Sequence, residues 1–416
     1  MNKLPNAIFF TLISLLILSQ SNFPQKQIKD LKPTVILISI DGFRYDYFEK
    51  FQPQVLNKIA KNGVRAKWMV PSFPTTTFPN HYTVATGLHP ANHGIVENNI
   101  YDFGTTFSMS KREEVQNPRW WLGEPIWVTA EKQGQKSAAF FFPGTESAIG
   151  GVKPTISNVY NGKVPPEFRV DKILSYLDLP AENRPTILTL YFSDVDDAGH
   201  EFSPDAEETR YAVQNVDRYI GRLMDGLKSR KIDKKVNVII TSDHGMASYN
   251  ARNAIFLDDY FDLENTTEKI LWTNEIVQIF PKKGLEQEIF EKIKNLEQTK
   301  CWLKKDIPDR FNYKQSARVA PIICSSKEGW ITTNRKRYND WIKDLDDITR
   351  PRGAHGYDNS LVSMRAIFLA HGAAFKKNFV AEPFENIEVY NLMCKILNLN
   401  PAKNDGDFEK VKSVLK

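Results

Sequence analysis

Apolar, β-branched-rich runs separated by helical patterns constrain the fold more than any other feature of this sequence. The first run, Val35–Ile40, contains a single polar residue, as expected for a strand that is covered on both faces. Comparable runs are Ala138–Phe142, Ile187–Phe192, Val236–Ile240 and Ile367–Leu369. Strands of this kind are typical of a parallel sheet between two layers of helices.

Helical patterns lie between these runs, and the clearest extends from Asp205 to Lys231, just after Pro204. Its apolar residues recur at helical spacing: Val213, Val216, Ile220, Leu223, Met224 and Leu227. Alternating strands and helices predict an α/β fold with a mostly parallel sheet and helices on both faces.

Three aspartates follow predicted strands within a few residues: Asp41, Asp196 and Asp243. In open α/β sheets, ligands bind beyond the carboxyl ends of the strands. The fold therefore gathers the three carboxylates at one rim of the sheet.

Histidines accompany these aspartates. His244 directly follows Asp243, and His200 lies four residues after Asp196. Either pair alone is more simply a turn aspartate beside an exposed histidine, but two such pairs beyond buried strands favour a metal site. His355 lies in a loop-forming segment, and three imidazoles with three carboxylates suit zinc better than magnesium or calcium. We assign structural roles to the other four histidines: His81, His89, His93 and His371.

Thr77 lies in the segment Phe73–Tyr82, just before Phe78-Pro79. A threonine at a helix N-cap is an ordinary structural feature. A helix N-terminus also stabilises anions, and a nearby metal ion makes a threonine hydroxyl a competent nucleophile. Asn98 offers an amide donor for a phosphate oxygen, although in isolation an Asn-rich turn is the better explanation.

The chain has 416 residues, of which 41% are apolar and 25% charged, and a net charge of +5. This composition is that of a globular protein with one large domain or two. Lys and Arg are scattered, so no nucleic-acid-binding surface is evident. Cys301 and Cys324 either close a loop or, like Cys394, are core thiols.

The N-terminus has the pattern of an export signal, with Lys3, an apolar run over Ala7–Leu18 and a polar exit. The run is shorter than the roughly 20 residues of a membrane-spanning helix, and an uncleaved anchor is the competing interpretation. No other segment resembles a membrane span. We expect a signal peptide over 1–21, a polar lead-in over 22–34 and a catalytic domain over 35–416, in which 246–345 holds a substrate-facing insert or lid.

The motif Phe-Pro-Thr-x-Thr-Phe-Pro-Asn-His-Tyr and the later Gly-x-His-Gly-Tyr-Asp resemble those of the nucleotide pyrophosphatase/phosphodiesterase family. This family has an alkaline-phosphatase-like core, and the resemblance extends from about Val35 to about Leu397. It implies that Thr77 is the nucleophile and that two Zn²⁺ ions are held, one by Asp41, Thr77, Asp243 and His244 and the other by Asp196, His200 and His355. It also implies that Asn98 binds phosphate and that Phe78 and Tyr160 sandwich a base.

Two positions depart from the family pattern. Thr76 stands where nucleotide-hydrolysing members often carry Lys, and Phe142 where several carry Trp. The hypothesis is an exported, periplasmic or extracellular, dizinc phosphodiesterase or nucleotide pyrophosphatase that forms a covalent threonine intermediate with a small nucleotide or other phosphodiester. The alternatives are a phospholipase C-type glycerophosphodiesterase that releases phosphocholine, a phosphomonoesterase, and a degenerate metal-binding protein without turnover.

Overall fold

The computed structural model describes residues 28–102, 104–273 and 275–416. The expected signal peptide over 1–21 lies outside the described residues. No helix in the described ranges is both long enough and apolar enough to cross a membrane.

An eight-stranded sheet forms the centre of the molecule, with seven strands in one direction and Phe368–His371 antiparallel to its neighbours. From one edge to the other the strands are Phe379–Ala381, Val64–Ala66, Phe368–His371, Asn237–Thr241, Val35–Ile40, Ile187–Phe192, Ser137–Phe140 and Ile156–Asn158. All five expected strands are present, within two residues of the predicted bounds. The mostly parallel α/β fold is therefore confirmed.

Apolar side chains from the central strand Val35–Ile40 enter two separate cores. Val35 and Leu37 belong to one core, whereas Ile36, Ile38 and Ile40 belong to the other. Burying each such side chain contributes roughly 1.5–3 kcal/mol to folding. A run without polar alternation is what two covered faces require, so the sequence pattern and the packing agree.

Helices cover both faces of the sheet. The first core is closed by Thr77–Thr86, Ile126–Lys132 and Glu388–Leu397, and the second by Gln54–Asn62, Pro166–Leu177, Asp194–Phe202 and Glu207–Ser229. The longest helix matches the predicted Asp205–Lys231 with two residues fewer at each end. Shorter helices are Tyr47–Phe51, Pro90–His93, Arg112–Val115, Leu263–Thr266, Glu286–Ile293 and Arg335–Ile342.

A second, antiparallel sheet lies within the 246–345 region and has its own small core. Its strands, in spatial order, are Thr267–Trp272, Ile276–Pro281, Ile322–Ser326 and Thr299–Leu303. Cys301 and Cys324 face each other in the last two strands and form a disulfide, while Cys394 is a buried free thiol. The structure thus decides between the two interpretations of these cysteines; the assignment of this region as an insert or lid stays a prediction.

Four two-stranded pairings complete the fold. They are Ala247–Tyr249 with Arg352–Ala354, Ala254–Phe256 with Ile331–Thr333, Met69–Val70 with Phe384–Glu385, and Asn99–Asp102 with Thr105–Ser108. The first of these matters for the site, because it joins the segment after Asp243-His244 to the segment before His355.

Candidate metal centre and aromatic pocket

Three adjacent strands deliver the three aspartates to one rim. Asp41 directly follows Val35–Ile40, whose two neighbours in the sheet end just before Asp196 and Asp243. Gly42 adopts a φ of +65°, and a Cβ there would lie 2.8 Å from Asp196 Oδ1. Its backbone N–H donates to Asp243 Oδ1 at 3.1 Å. A glycine after Asp41 therefore allows the three carboxylates to approach one another.

Each aspartate has one buried oxygen that accepts no hydrogen bond from the described residues: Asp41 Oδ1, Asp196 Oδ1 and Asp243 Oδ2. Burial, followed by the charges of Asp243 and Asp196, raises the pKa of Asp41 well above its usual value. Unpaired buried carboxylate oxygens are costly unless a cation balances them. The three oxygens are therefore candidate cation ligands.

The three expected histidine ligands share one hydrogen-bonding pattern. The Nδ1 of His200, His244 and His355 donates to the carbonyls of Gly353, Gly245 and Thr75 at 2.8–2.9 Å. Each Nε2 is therefore the free nitrogen, and it faces an aspartate. Fixing one ring nitrogen with a carbonyl is how proteins orient imidazoles for metal binding.

His244 lies at the centre of the cluster. One close group consists of Asp41, Asp243 and His244, and the other of Asp196, His244 and His355. The first group contains three of the four residues that the family resemblance implies for one zinc, the fourth being Thr77. In the second, His244 takes the place of His200, whose side chain is 44% exposed and whose Nε2 lies 3.4 Å from Asp196 Oδ2. Because the groups share His244, the two sites adjoin.

Burial and the neighbouring His244 and His200 lower the pKa of His355 well below its usual value. A neutral imidazole is the form that binds a metal ion. Nitrogen and carboxylate oxygen donors together are the set that zinc accepts. The residues present therefore fit two divalent metal ions, with His200, His244 and His355 as nitrogen ligands and Asp41, Asp196 and Asp243 as oxygen ligands.

Thr75 attaches the His355 loop to the Thr77 segment. Its hydroxyl donates to the carbonyl of Tyr357 and accepts from the N–H of Gly356, and its carbonyl accepts from His355. Sequence reasoning did not identify this role.

Thr77 is the first residue of the helix Thr77–Thr86, and its Oγ1 lies 3.5 Å from His244 Nε2. The interpretation of Thr77 as an N-cap is off by one residue. Thr76 occupies the N-cap, and its side chain makes no capping hydrogen bond. The Thr77 hydroxyl is thus directed toward the metal ligands and is not used for capping.

Asn98 is not part of this helix but contacts its first turn, next to Thr77. Its Oδ1 accepts from the backbone N–H of Phe78 at 2.8 Å. This contact fixes the orientation of the amide, and its NH₂ group has no hydrogen-bond partner among the described residues. Two amide donors next to a candidate nucleophile suit an anionic oxygen.

An aromatic pocket opens directly beside Thr77. It is lined by Phe78, Tyr160, Tyr191, Phe141 and Phe142, among others. Phe78 is buried and packs against Phe107 and Trp121, whereas the Tyr160 ring is 38% exposed and contacts Phe141 edge-on. The structure thus places both rings assigned to base stacking in one pocket.

Two charged residues of this pocket were missed by sequence reasoning. Arg112 forms an ion pair with Glu146, which also accepts from the backbone N–H of Tyr160 at 3.0 Å. Gln116 donates to the second Glu146 oxygen. Glu146 therefore fixes the backbone at Tyr160. No local sequence motif identifies Glu146 as a pocket residue.

His81 also contacts the site, although we assigned it a structural role. Its Nδ1 donates to the Thr77 carbonyl at 2.8 Å and lies 3.3 Å from Asp243 Oδ2. Its Nε2 lies 2.8 Å from the Ser39 hydroxyl. The sequence does contain a signal for this contact. His81 is one helical turn after Thr77, so both side chains lie on the same face of the helix.

Glu97, next to Asn98, gives a pH-dependent prediction. It is fully buried, and burial raises its pKa from 4.5 to about 7. Because the unfolded chain loses this proton at lower pH than the folded protein, Glu97 lowers stability as pH rises from about 4.5 to about 7. Between pH 5 and pH 8, the free energy of unfolding of Glu97→Gln should therefore fall by about 2–3 kcal/mol less than that of the wild type. Urea unfolding of both proteins with chelator at the two pH values measures it, and an unchanged pH dependence would contradict the assignment.

Comparisons with known proteins identify the family of this chain. Residues 35–358 match the family model for type I phosphodiesterase / nucleotide pyrophosphatase. The venom phosphodiesterase of Macrovipera lebetinus is 40% identical over 394 residues, which are 92% of this chain and 45% of that protein. Ectonucleotide pyrophosphatase/phosphodiesterase family member 3 of Rattus norvegicus is 38% identical over 396 residues, covering 92% and 44%. The chain spans about half the length of these curated relatives.

Solved structures extend the similarity to the fold. Murine ectonucleotide pyrophosphatase / phosphodiesterase 5 matches with a TM-score of 0.85 and 35% identity, over 92% of this chain and 100% of that chain. An inactive threonine-to-alanine variant of that protein was solved in complex with AMP. The human protein is 36% identical with the same TM-score. The chain therefore belongs to the type I phosphodiesterase / nucleotide pyrophosphatase family, within the alkaline phosphatase superfamily.

Proposed function

We propose that this chain is an exported two-zinc phosphodiesterase or nucleotide pyrophosphatase with Thr77 as its nucleophile. The observation that carries the proposal is the position of the Thr77 hydroxyl, between the cluster of buried carboxylates and imidazoles and an aromatic pocket. Export is supported by the N-terminal sequence pattern and by relatives that are named as venom and ecto-enzymes.

Thr77, after its hydroxyl has lost a proton to water, attacks phosphorus in line and forms a covalent ester as the bond to the leaving group breaks. The leaving group departs as a phosphate, or as an alcohol that takes its proton from water. Water then hydrolyses this ester from the same side that the leaving group vacated, so two inversions give net retention at phosphorus. Zinc ions, when bound, would lower the pKa of the hydroxyl and offset negative charge on the phosphoryl oxygens. Asn98 donates to one of these oxygens, and the N-terminus of the helix Thr77–Thr86 adds favourable dipoles.

The pocket favours a nucleotide over a choline ester. Phe78 and Tyr160 offer ring faces for stacking, which is worth roughly 1–3 kcal/mol per base. Arg112 in the pocket wall forms an ion pair with Glu146, so the carboxylate that the described residues place in this pocket is already paired and is not available to a quaternary ammonium group.

A pair of chromogenic substrates tests the proposal: p-nitrophenyl-thymidine monophosphate and p-nitrophenyl-phosphorylcholine, at mildly alkaline pH with zinc. We expect turnover of the thymidine ester. Turnover of the choline ester alone would retain the metal centre and replace the nucleotide pocket with a phospholipase C-type one. Failure of both esters would contradict the proposed activity and favour the non-catalytic alternative.

The Asn98 amide gives a sharper test. Asn98→Asp keeps the acceptor for the Phe78 N–H and replaces the NH₂ donors with a negative charge. We expect kcat to fall by about 10²–10³-fold, as when one donor to a developing oxyanion is removed. Steady-state kinetics on the thymidine ester measure this, with Asn99→Asp as a neighbouring control outside the contact. Similar kinetics for Asn98→Asp and the wild type would remove Asn98 from the proposed mechanism.

A further inference from the structure

Tyr191 links the aromatic pocket to the metal centre. It is the penultimate residue of the strand Ile187–Phe192, adjacent to Ser39 in the central strand. Its ring lines the pocket beside Thr77 and packs edge-on against Tyr160, with ring centroids 6.1 Å apart. Its hydroxyl donates to Asp41 Oδ2 at 2.6 Å.

This hydrogen bond determines how Asp41 faces the site. With Oδ2 held by Tyr191, the other oxygen, Oδ1, makes no hydrogen bond to any residue that the structure describes and lies 3.5 Å from His244 Nε2. A carboxylate held through one oxygen presents the other in a fixed direction, which reduces the entropy lost when it binds an ion.

The central strand Val35–Ile40 has a residue with a similar role at the position paired with Tyr191. Ser39, directly opposite Tyr191, contacts His81, which in turn contacts Asp243 and the Thr77 carbonyl. Two adjacent residues of the sheet thus orient two of the three carboxylates. Only Tyr191 also lines the pocket, so it connects both halves of the site.

We propose that Tyr191 is a positioning residue that orients Asp41 for metal binding through its hydroxyl and forms a wall of the nucleotide pocket through its ring. The pocket part of this inference rests on the proposed function, whereas the metal part stands on the geometry of Asp41. The two parts predict different consequences for two substitutions of the same residue.

Tyr191→Phe keeps the ring and removes the hydrogen bond. We expect zinc affinity to fall by about 10–100-fold, the usual effect of losing a residue that orients a metal ligand. With zinc held at saturation, KM for p-nitrophenyl-thymidine monophosphate should stay within about 2-fold of the wild type. Tyr191→Leu removes the ring as well, and it should raise KM in addition to weakening zinc binding.

Tyr82→Phe is the matched control, because the Tyr82 hydroxyl is buried and makes no hydrogen bond to the described residues. Competition with a chromogenic chelator measures zinc affinity without reference to activity. Thermal unfolding of the metal-free variants reports whether they fold. If Tyr191→Phe folds and binds zinc as tightly as Tyr82→Phe, the orienting role is overturned. If zinc binding weakens as expected and no variant or wild-type protein cleaves the ester, the proposed function fails and the orienting role stands.

Discussion

Thr77→Ala should reduce kcat by about 10⁴-fold or more while the protein still binds zinc, because it removes the side-chain oxygen proposed to attack phosphorus in the first step. The three aspartates and three histidines remain in place in this variant, and only the 3.5 Å contact between Thr77 Oγ1 and His244 is lost. Kinetics on the thymidine ester, together with metal analysis of the dialysed protein, give both readouts.

Thr76→Ala is the appropriate control for this experiment. Thr76 is the adjacent residue, it is also buried, and its hydroxyl makes no capping bond to the helix. We expect its effect on kcat to be below about 10-fold. Wild-type turnover in Thr77→Ala would refute the covalent mechanism, and equal losses in both variants would indicate a structural defect of the segment instead of a missing nucleophile.

His244→Ala should lower bound zinc more than His200→Ala does. His244 belongs to both close groups of ligands and is completely buried, whereas His200 contacts Asp196 alone among the aspartates and is 44% exposed. We therefore expect His244→Ala to weaken both sites and His200→Ala to weaken one. Zinc per chain, measured by elemental analysis after dialysis, should separate the two variants.

Thermal stability provides a second measurement that compares His244→Ala with His200→Ala. Zinc that binds only the folded state adds about 4 kcal/mol per site at a concentration 1,000 times its Kd. Chelator should therefore lower Tm markedly in the wild type, less in His200→Ala and least in His244→Ala. A larger chelator effect in His244→Ala than in His200→Ala would contradict the central position of His244.

The buried strands and the residues that follow them were predictable from the sequence. Asp41 and Asp243 come within three residues of the ends of apolar runs, so the tendency of ligands to bind beyond the carboxyl ends of strands predicts that they lie together. The short edge strands Phe379–Ala381 and Ile156–Asn158 were not predicted, because three residues are too few to show a periodic pattern. Their pairing depends on the sheet that they extend.

The residues that shape the site from a distance were less accessible to sequence reasoning. In the sequence, Tyr191 has the pattern of an ordinary buried strand residue. Its hydroxyl reaches Asp41 because of the register that pairs Tyr191 with Ser39. Glu146 reaches Arg112 and Tyr160 through loops, which have no period to analyse. His355 was predicted from the family motif. Its position beside His244 depends on the pairing of Ala247 with Ala354, which no sequence pattern indicates.

The order of the strands has a consequence for how the protein is made. Val35–Ile40 lies between strands that begin at Ile187 and Asn237, and the candidate metal ligands extend from Asp41 to His355. Such long sequence separations give a high contact order, which slows folding. During synthesis the central strand must wait for partners that emerge much later, with its apolar residues exposed to other chains. Binding of the proposed metal ions would then be a late event, and a chain truncated before His355 would lack one of the candidate metal ligands.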